Sequence, residues 1–377
     1  MRKINEFEID PMNVTFEPLA GSTFINILRL LAQNRFKIDL IGFPRILYSI
    51  ILSLSMSPMR FYENIKFDKI INETKIDKHP LFILGHWRTG TTYLHNLISQ
   101  DKQFGFPSTY HTVTPTLFLS FEKFIKPIVI NSLPEKRPQD DVDLGADLPN
   151  EEEYALGALS PYSFYNGWCF PKNMGYYNNF VDLKNLSKNT VDNFKKIYLY
   201  YLKKLTYFYD GKQLILKNPS NTSRIKFLLD IFPDAKFVNI IRNPYHVFLS
   251  MKRNIEKEMI LYTLQKPPKW EFFEKSMVDM YKRMFTKYFN EKKFIKKGNL
   301  VEIKYEDFIL NPLIDIERIY SELNLNGFNK NKEIFMEYIK SQSKIKTQKY
   351  RIDEITKNKI YNYFKFTIDK WQYNFET

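Results

Sequence analysis

Hydrophobic residues change their spacing near residue 75 of this chain. Before that point, apolar clusters at 24–31 and 46–54 have the spacing of helices. After it, short apolar runs alternate with amphipathic stretches, and the runs are 81–84, 214–216, 237–241 and 300–303. Alternation of this kind predicts an α/β domain in which helices flank a mostly parallel sheet. We therefore expect a helical N-terminal extension over 1–75 and the α/β domain over 76–377.

The most apolar stretch, ILYSIILSLSMSPM at 46–59, lies between Arg45 and Arg60. It is shorter than the ~20 residues that cross a bilayer, which leaves a core helix or a helix on a membrane surface. The start of the chain, MRKINEFEID, turns acidic where a secretory signal has an apolar run. We expect a cytoplasmic protein, with peripheral membrane contact as an open alternative.

Composition narrows the class of protein. A hydrophobic content of 44% with 33 Phe and 25 Tyr excludes a disordered chain. The net charge of +14 fits a polyanionic partner such as nucleic acid, an anionic membrane or a small phosphorylated or sulfated ligand, although a general lysine bias explains it equally well. The single cysteine, Cys169, excludes a disulfide framework. Because no His, Cys or Asp residues have metal-ligand spacing, we expect no metal cofactor.

Residues 140–153, DDVDLGADLPNEEE, hold seven acidic residues against the basic trend of the chain. We interpret them as a solvated loop leading into a helix at Glu151, where carboxylates suit the positive helix end. A cation site is the alternative, but the spacing does not match an EF-hand.

The segment 81–98 reads LFILGHWRTGTTYLHNLI, which predicts a buried strand, a glycine-containing loop and a helix. Gly85 and Gly90 are five positions apart, as in a Walker A loop, whose backbone N–H groups cradle an anion. Thr91 stands where that motif has its lysine. The nearest cation is Arg88, a planar guanidinium suited to clamp an oxyanion. A strand–helix turn without a ligand is the alternative.

Two more cations follow predicted strands. Arg242 ends the run FVNIIR, an Asn-Pro pair then begins a helix, and Ser250 lies on that helix. Lys217 ends the run QLILK, at the strand end where open α/β sheets bind ligands. A solvated lysine and an ordinary sheet-edge arginine are the alternatives.

These motifs together resemble the PAPS-dependent sulfotransferases, whose 5′-phosphosulfate loop typically reads Pro-Lys/Arg-Ser/Thr-Gly-Thr-Thr. Residues 88–92 match that loop, and Gly85-His86-Trp87 is similar to a bacterial branch, with Trp87 in place of the proline. The resemblance covers about residue 79 to the end. It implies a P-loop-like three-layer α/β fold, PAPS as co-substrate and no metal. The nucleotide-binding residues that it implies are Gly85, Trp87, Arg88, Thr89, Gly90, Thr91, Thr92, Arg242, Ser250 and Lys349.

The resemblance also implies roles for individual side chains. Arg242 and Ser250 would bind the 3′-phosphate, while Arg88 and Lys217 would bracket the leaving oxygen. Asn218 stands where the tyrosylprotein-like members have Asp, which is a departure from their pattern. Lys349, with Lys346 and Tyr350, lies where related enzymes close a loop over the nucleotide. The run IKYEDFILNP at 303–312 resembles a signature of the fold that we interpret as structural.

The base that activates the acceptor hydroxyl stays open between two places. His111 follows the loop helix at about the distance where related enzymes have a His or Glu base. Glu151, Glu152 and Glu153 are similar to an acidic motif of bacterial members, with Glu151 and Glu153 slightly favoured. The alternatives are a hydrogen-bonded loop histidine and an acidic first helical turn.

The function that we expect is transfer of a sulfuryl group from PAPS to a hydroxyl, with release of 3′,5′-ADP. Aromatic residues over 162–177 suit the wall of a pocket for a hydrophobic alcohol such as a sterol or lipid, or an ordinary aromatic core. A P-loop kinase is disfavoured because the Walker lysine is absent. A non-catalytic binder of membranes or nucleic acid leaves Arg88 and Arg242 unexplained, and no nucleic-acid recognition motif is present. The sequence does not name the acceptor or the oligomeric state.

Overall fold

The computed structural model describes residues 14, 17–137, 142–342 and 350–375. In this part of the chain, short strands form one sheet in the order β2-β3-β1-β4-β5, and every neighbouring pair is parallel. The strands are β1 (Leu81–Leu84), β2 (Phe104–Gly105), β3 (Gln213–Lys217), β4 (Lys236–Ile241) and β5 (Leu300–Lys304). The predicted α/β class with a parallel sheet is confirmed, and the two-residue strand β2 is an addition.

Helices occupy most of the remaining described residues. In chain order they are α1 (Phe24–Gln33), α2 (Phe43–Ser55), α3 (Ser57–Glu73), α4 (Thr91–Ile98), α5 (Thr109–Val113), α6 (Glu122–Ser132), α7 (Glu152–Leu159), α8 (Asn166–Cys169), α9 (Met174–Tyr177), α10 (Asn179–Asp182), α11 (Lys188–Phe208), α12 (Ile225–Leu229), α13 (Pro244–Asn254), α14 (Ile260–Tyr262), α15 (Trp270–Glu291), α16 (Tyr305–Leu310), α17 (Pro312–Glu322), α18 (Phe328–Gln342) and α19 (Glu354–Trp371). Helices α1 to α3 confirm the helical character expected near the N-terminus.

The described residues pack as two compact units. The first unit takes its residues from 1–77, 106–212 and 255–273, and the second from 78–105, 213–254 and 274–377. The second unit contains the whole sheet. The domain boundary at residue 75 stays a prediction.

The sheet of the second unit is buried on both faces at its centre. All four residues of β1 are buried, as are the last residues of β3 and β4. Strands covered by helices on both sides read as continuous apolar runs, which explains why their positions were visible in the sequence. Ile83 pairs with Lys217 and Leu84 pairs with Asn239, so the three strands end together at one edge.

The first unit is built on helices. Ile27, Leu30 and Leu31 on α1 pack with Ile46 on α2 and Phe180 on α10 in one hydrophobic cluster. No single described helix is long and apolar enough to cross a membrane. The pair 40–55 and 57–73, bent by 47°, passes that test of length and composition together.

The acidic run is partly explained by local contacts. Asp147 pairs with Lys126 at 2.6 Å, and Glu151 is the residue immediately before α7. Asp140 and Asp141 lie outside the described residues. Among the residues described, no group of three or more His, Cys, Asp and Glu side chains could hold a metal ion. A reaction without a metal stays a prediction.

Candidate active site

The loop between β1 and α4 needs both of its glycines. Gly85 has φ +142° and Gly90 has φ +94°, conformations that residues with a Cβ rarely adopt. A Cβ on Gly85 would lie 2.7 Å from the carbonyl oxygen of Ile240, and one on Gly90 would overlap the ring of Tyr305. The backbone therefore passes close to its neighbours and keeps the start of α4 clear, as an anion cradle requires.

Buried polar contacts hold this loop in place. The Thr222 hydroxyl accepts a hydrogen bond from Gly85 N (2.8 Å) and donates one to Gly85 O (3.1 Å). The Thr89 hydroxyl donates to the carbonyl oxygen of His86 at 2.7 Å. Burial lowers the pKa of His86 to about 4, so its ring is neutral at physiological pH. Thr222 was not predicted, because no sequence motif marks a residue 137 positions away from its partner.

Arg88, Arg242 and Ser250 form one hydrogen-bonded group. Arg88 Nε donates to Ser250 Oγ at 2.9 Å, and a terminal nitrogen of Arg242 donates to the Arg88 carbonyl oxygen at 2.8 Å. The contacts join residues 162 and 154 positions apart in the chain. Two guanidinium groups beside a glycine cradle create a strongly positive site that suits an anionic ligand.

Tyr305 is a second residue of this site that the sequence did not identify as functional. The guanidinium of Arg242 lies over the Tyr305 ring, 4.2 Å from its centroid, in a cation–π contact. The same ring packs against Gly90. The predicted structural signature at 303–312 therefore also supplies a platform for Arg242.

Lys217 is buried at the end of β3, beside β1. The pKa of His95 on α4 is lowered well below its ordinary value, first by burial and then by the charge of Lys217. This effect places the Lys217 charge near the helix that starts at the loop, and the role of Lys217 at the leaving oxygen stays a prediction.

His111, in the first unit, is held by a hydrogen bond between its ring and the backbone. Its Nδ1 accepts a hydrogen bond from Ser108 N at 3.2 Å, so its proton lies on Nε2. The ring packs edge-on against Phe208, and burial lowers its pKa to about 3. His111 is neutral and holds the start of α5 in place.

The three glutamates at the start of α7 make separate buried contacts. Glu151 Oε2 accepts a hydrogen bond from the Tyr165 hydroxyl at 2.5 Å, and Glu153 Oε1 accepts one from Phe164 N at 3.2 Å. Glu152 Oε1 lies 3.4 Å from the donating hydroxyl of Tyr198. Of the three, Glu151 retains an exposed fraction of 8%, whereas Glu152 and Glu153 are fully buried.

The aromatic residues expected to line a pocket form a packed cluster next to Glu151. Tyr165 stacks on Tyr154 with 4.2 Å between ring centroids, and Trp168 stacks on Tyr262 at 5.6 Å. Phe164 and Phe170 are buried as well. Their role as an acceptor wall stays a prediction.

The predicted site residues divide between the two units. The base candidates His111, Glu151 and Glu153 lie on adjoining elements of the first unit, where Asn150 Nδ2 bonds to Thr112 Oγ1 at 3.0 Å. Lys346 and Lys349 lie outside the described residues. The second unit contains Gly85, Trp87, Arg88, Thr89, Gly90, Thr91, Thr92, Lys217, Arg242 and Ser250.

Comparisons with known proteins agree with these observations. A family model described as the sulfotransferase family matches residues 80–330. Two curated proteins, from Mycobacterium bovis and Mycobacterium tuberculosis, are 30% identical to this chain over 362 residues, 95% of this chain and 91% of theirs. Both bear the name omega-hydroxy-beta-dihydromenaquinone-9 sulfotransferase Stf3.

Solved structures share the fold. Sulfotransferase STF1 from Mycobacterium tuberculosis aligns with a TM-score of 0.63 and 16% identity, covering 93% of this chain and 94% of its own. Sulfotransferase STF9 from Mycobacterium avium aligns with a TM-score of 0.63 and 14% identity, covering 94% and 97%.

Proposed function

The chain belongs to the sulfotransferase family, and we propose that it moves a sulfuryl group from PAPS to the hydroxyl of a lipid alcohol. The observation that supports PAPS as the sulfuryl donor is the hydrogen-bonded group of Arg88, Ser250 and Arg242, which lies beside the glycine-containing loop. Its cations and helix-start amides suit a ligand that carries anionic groups at two positions. PAPS, when bound, supplies the sulfuryl group and a nucleotide leaving group.

In this proposal, each part of the second unit has one task. The amides and hydroxyls of Thr91 and Thr92 hold the 5′-phosphate at the start of α4, while Arg242 and Ser250 hold the 3′-phosphate. Arg88 and Lys217 place positive charge where negative charge gathers on the leaving oxygen. Positioning and charge stabilisation of this kind supply most of the catalysis in transfers that need little covalent chemistry from the protein.

The nucleotide assignment is tested by calorimetry on the purified chain. We expect 3′,5′-ADP to bind with micromolar affinity and ATP to bind much more weakly, because Arg242 and Ser250 are matched to a 3′-phosphate. Ser250→Ala should weaken 3′,5′-ADP and leave weak 5′-AMP binding unchanged. Binding of ATP without 3′,5′-ADP would contradict the proposal and favour the kinase alternative.

For the base, we propose Glu151, with Glu153 as the second candidate. The Nδ1 lone pair of His111 is occupied by Ser108 N–H, and a histidine with a pKa of about 3 is a weak proton acceptor. Glu151 keeps contact with solvent and accepts a short hydrogen bond from Tyr165 that orients it.

Substitution separates the base candidates. Glu151→Gln should lower kcat by roughly a hundredfold or more while 3′,5′-ADP binding is kept, because the variant removes proton transfer alone. His111→Gln should keep most of kcat. Loss of kcat in His111→Gln with full activity in Glu151→Gln and Glu153→Gln would reverse the assignment.

The structural role of His111 has its own pH signature. Its pKa is about 3 in the folded chain against an ordinary 6.5, so between these values the unfolded chain binds more protons. The His111 contribution to the free energy of unfolding is therefore complete above pH 6.5 and falls as pH drops towards 3. His111→Gln should make the pH dependence of stability shallower across that window, measured by urea unfolding.

The proposed acceptor class rests on the names of the curated relatives and on the aromatic residues over 162–177. The curated relatives are named for a hydroxylated menaquinone, which is a lipid. We propose a lipid alcohol for this chain, in contact with a membrane from a cytoplasmic location. Mass spectrometry of a lipid extract incubated with enzyme and PAPS should show lipids heavier by one sulfuryl group. Sulfation of water-soluble phenols alone would contradict this acceptor class.

A further inference from the structure

Helices α2 and α3 bury several charged and polar side chains and expose a row of apolar side chains, which is unusual for a surface helix. We propose that their outer face docks onto the surface of an anionic phospholipid bilayer. The outer face consists of Phe43, Leu47, Ile51, Leu54, Phe61 and Ile65. This inference deepens the membrane contact proposed above by naming the surface and the lipid charge, and its test does not depend on sulfuryl transfer.

The inner side of α2 carries a buried ion pair. Arg45 contacts Glu17 at 2.7 Å and donates to the carbonyl oxygen of Thr263 at 3.0 Å. Ser49 and Ser53 are buried on the same helix, and Ser53 donates to Ser22 O at 2.7 Å. These contacts fix the orientation of α2 within the first unit.

The inner side of α3 is polar as well. Arg60 donates to the Ser53 carbonyl oxygen at 2.9 Å, and Glu63 pairs with Lys204 on α11 at 2.6 Å with both side chains buried. Because charged groups of α2 and α3 are paired within the protein, the two helices lie against it along their length. This orientation fits helices that lie on a membrane rather than cross it.

The outer face remains exposed and apolar. Its six side chains are between 46% and 70% exposed. Phe43, Leu47, Ile51 and Leu54 recur at the spacing of one helical stripe. From residue 40 to 62 the charged residues are Arg45 and Arg60, and both are buried. A surface without charge over that length exposes apolar area that water disfavours.

Exposed basic residues flank this face in the sequence and favour an anionic partner. Exposed side chains on either side include Arg29, Arg35, Lys37, Lys66 and Lys69. Two acidic residues nearby have partners within the first unit: Asp68 Oδ1 accepts a hydrogen bond from the Tyr200 hydroxyl at 2.7 Å, and Asp39 pairs with Lys172 at 2.6 Å. Two copies joined through this face would bring like charges together, whereas anionic headgroups would be attracted to them. Charge and apolarity therefore both favour a bilayer.

Vesicle flotation of the full chain tests this inference. We expect the wild type to float with vesicles of phosphatidylcholine and phosphatidylglycerol, and to bind less tightly to phosphatidylcholine alone or at high salt. The combined substitutions Phe43→Asp, Ile51→Asp and Phe61→Asp should reduce the partition coefficient roughly a hundredfold, because they place charges where side chains would enter the interface. A matched control replaces Leu310, Ile314 and Ile355, which are 65% to 81% exposed in the second unit, by Asp.

Three results would overturn the inference. They are unchanged flotation of the triple outer-face variant, equal loss in the control variant, and a wild type that dimerises through this face without binding vesicles. Urea unfolding, measured on every variant, shows whether the substitutions leave the chain folded. Since flotation needs no turnover, a failed sulfotransferase assay leaves this test unaffected.

Discussion

Replacing Arg88 by alanine is expected to lower kcat by roughly a hundredfold to a thousandfold, the loss seen when one preorganised charge-stabilising donor is removed from an active site. The arginine is held at both ends: its Nε donates to Ser250, and its carbonyl oxygen accepts from Arg242. Arg88→Lys keeps the positive charge without the planar fork, and it should cost less than Arg88→Ala because the resembled loop has either Lys or Arg at this position. Single-turnover kinetics with PAPS isolates the transfer step from product release.

The lysine variant is the matched control for the alanine variant, because it changes geometry rather than charge. Arg88 has φ +71°, and lysine carries the same backbone cost at that position, so folding should be affected little. Affinity for 3′,5′-ADP should fall less than kcat. A variant that loses nucleotide affinity with kcat unchanged would assign Arg88 to binding alone and remove it from the transfer step.

Replacing Lys204 by methionine should lower the free energy of unfolding by about 3–5 kcal/mol, because it leaves Glu63 as an unpaired buried charge. The ion pair lies within the first unit, where Lys204 Nζ contacts Glu63 Oε1 at 2.6 Å and donates to Pro115 O at 2.8 Å. Burial is the main cause that lowers the pKa of Lys204, and Glu63 opposes it. Urea unfolding followed by tryptophan fluorescence measures the change.

Two control variants separate the effect of breaking the Lys204–Glu63 ion pair from the effect of losing any lysine of this helix. Lys196→Met, an exposed lysine on the same helix, should change the free energy of unfolding by less than about 0.5 kcal/mol. The double variant Lys204→Met, Glu63→Leu should be more stable than Lys204→Met alone, since no charge is left buried. Equal stability of Lys204→Met and the wild type would show that the pair is not what fixes α3.

Much of the sheet could be predicted because buried parallel strands are short, continuous apolar runs. The run 81–84 is β1 residue for residue, and the other three predicted runs match β3, β4 and β5 within one residue at either end. The strand β2 was not predicted, because a two-residue strand that ends in glycine contains no apolar run. The loop glycines were also visible, since their spacing marks a close backbone approach that positive φ angles confirm.

The sequence predicted the residues of the site as separate motifs. Only the folded chain shows which of these residues contact one another. The sequence indicated Arg88, Arg242 and Ser250 as members of two separate anion sites, and the structure joins them directly. Tyr305 was recognised as part of a structural signature, yet its ring supports Arg242. For His111, only the folded chain reveals that Ser108 N–H occupies the Nδ1 lone pair and that burial lowers the pKa of the ring.

The sequence by itself determined the strands, the cradle glycines and the cations at strand ends, because each depends on residues within a few positions of one another. The tertiary structure decided which of those cations meet, because the strand order places the ends of β1, β3 and β4 at one edge of the sheet. It also decided which sides of α2 and α3 face outward. Helical periodicity identifies the two faces of a helix, but buried partners such as Glu17 and Lys204 lie far away in the chain and fix the polar faces inward.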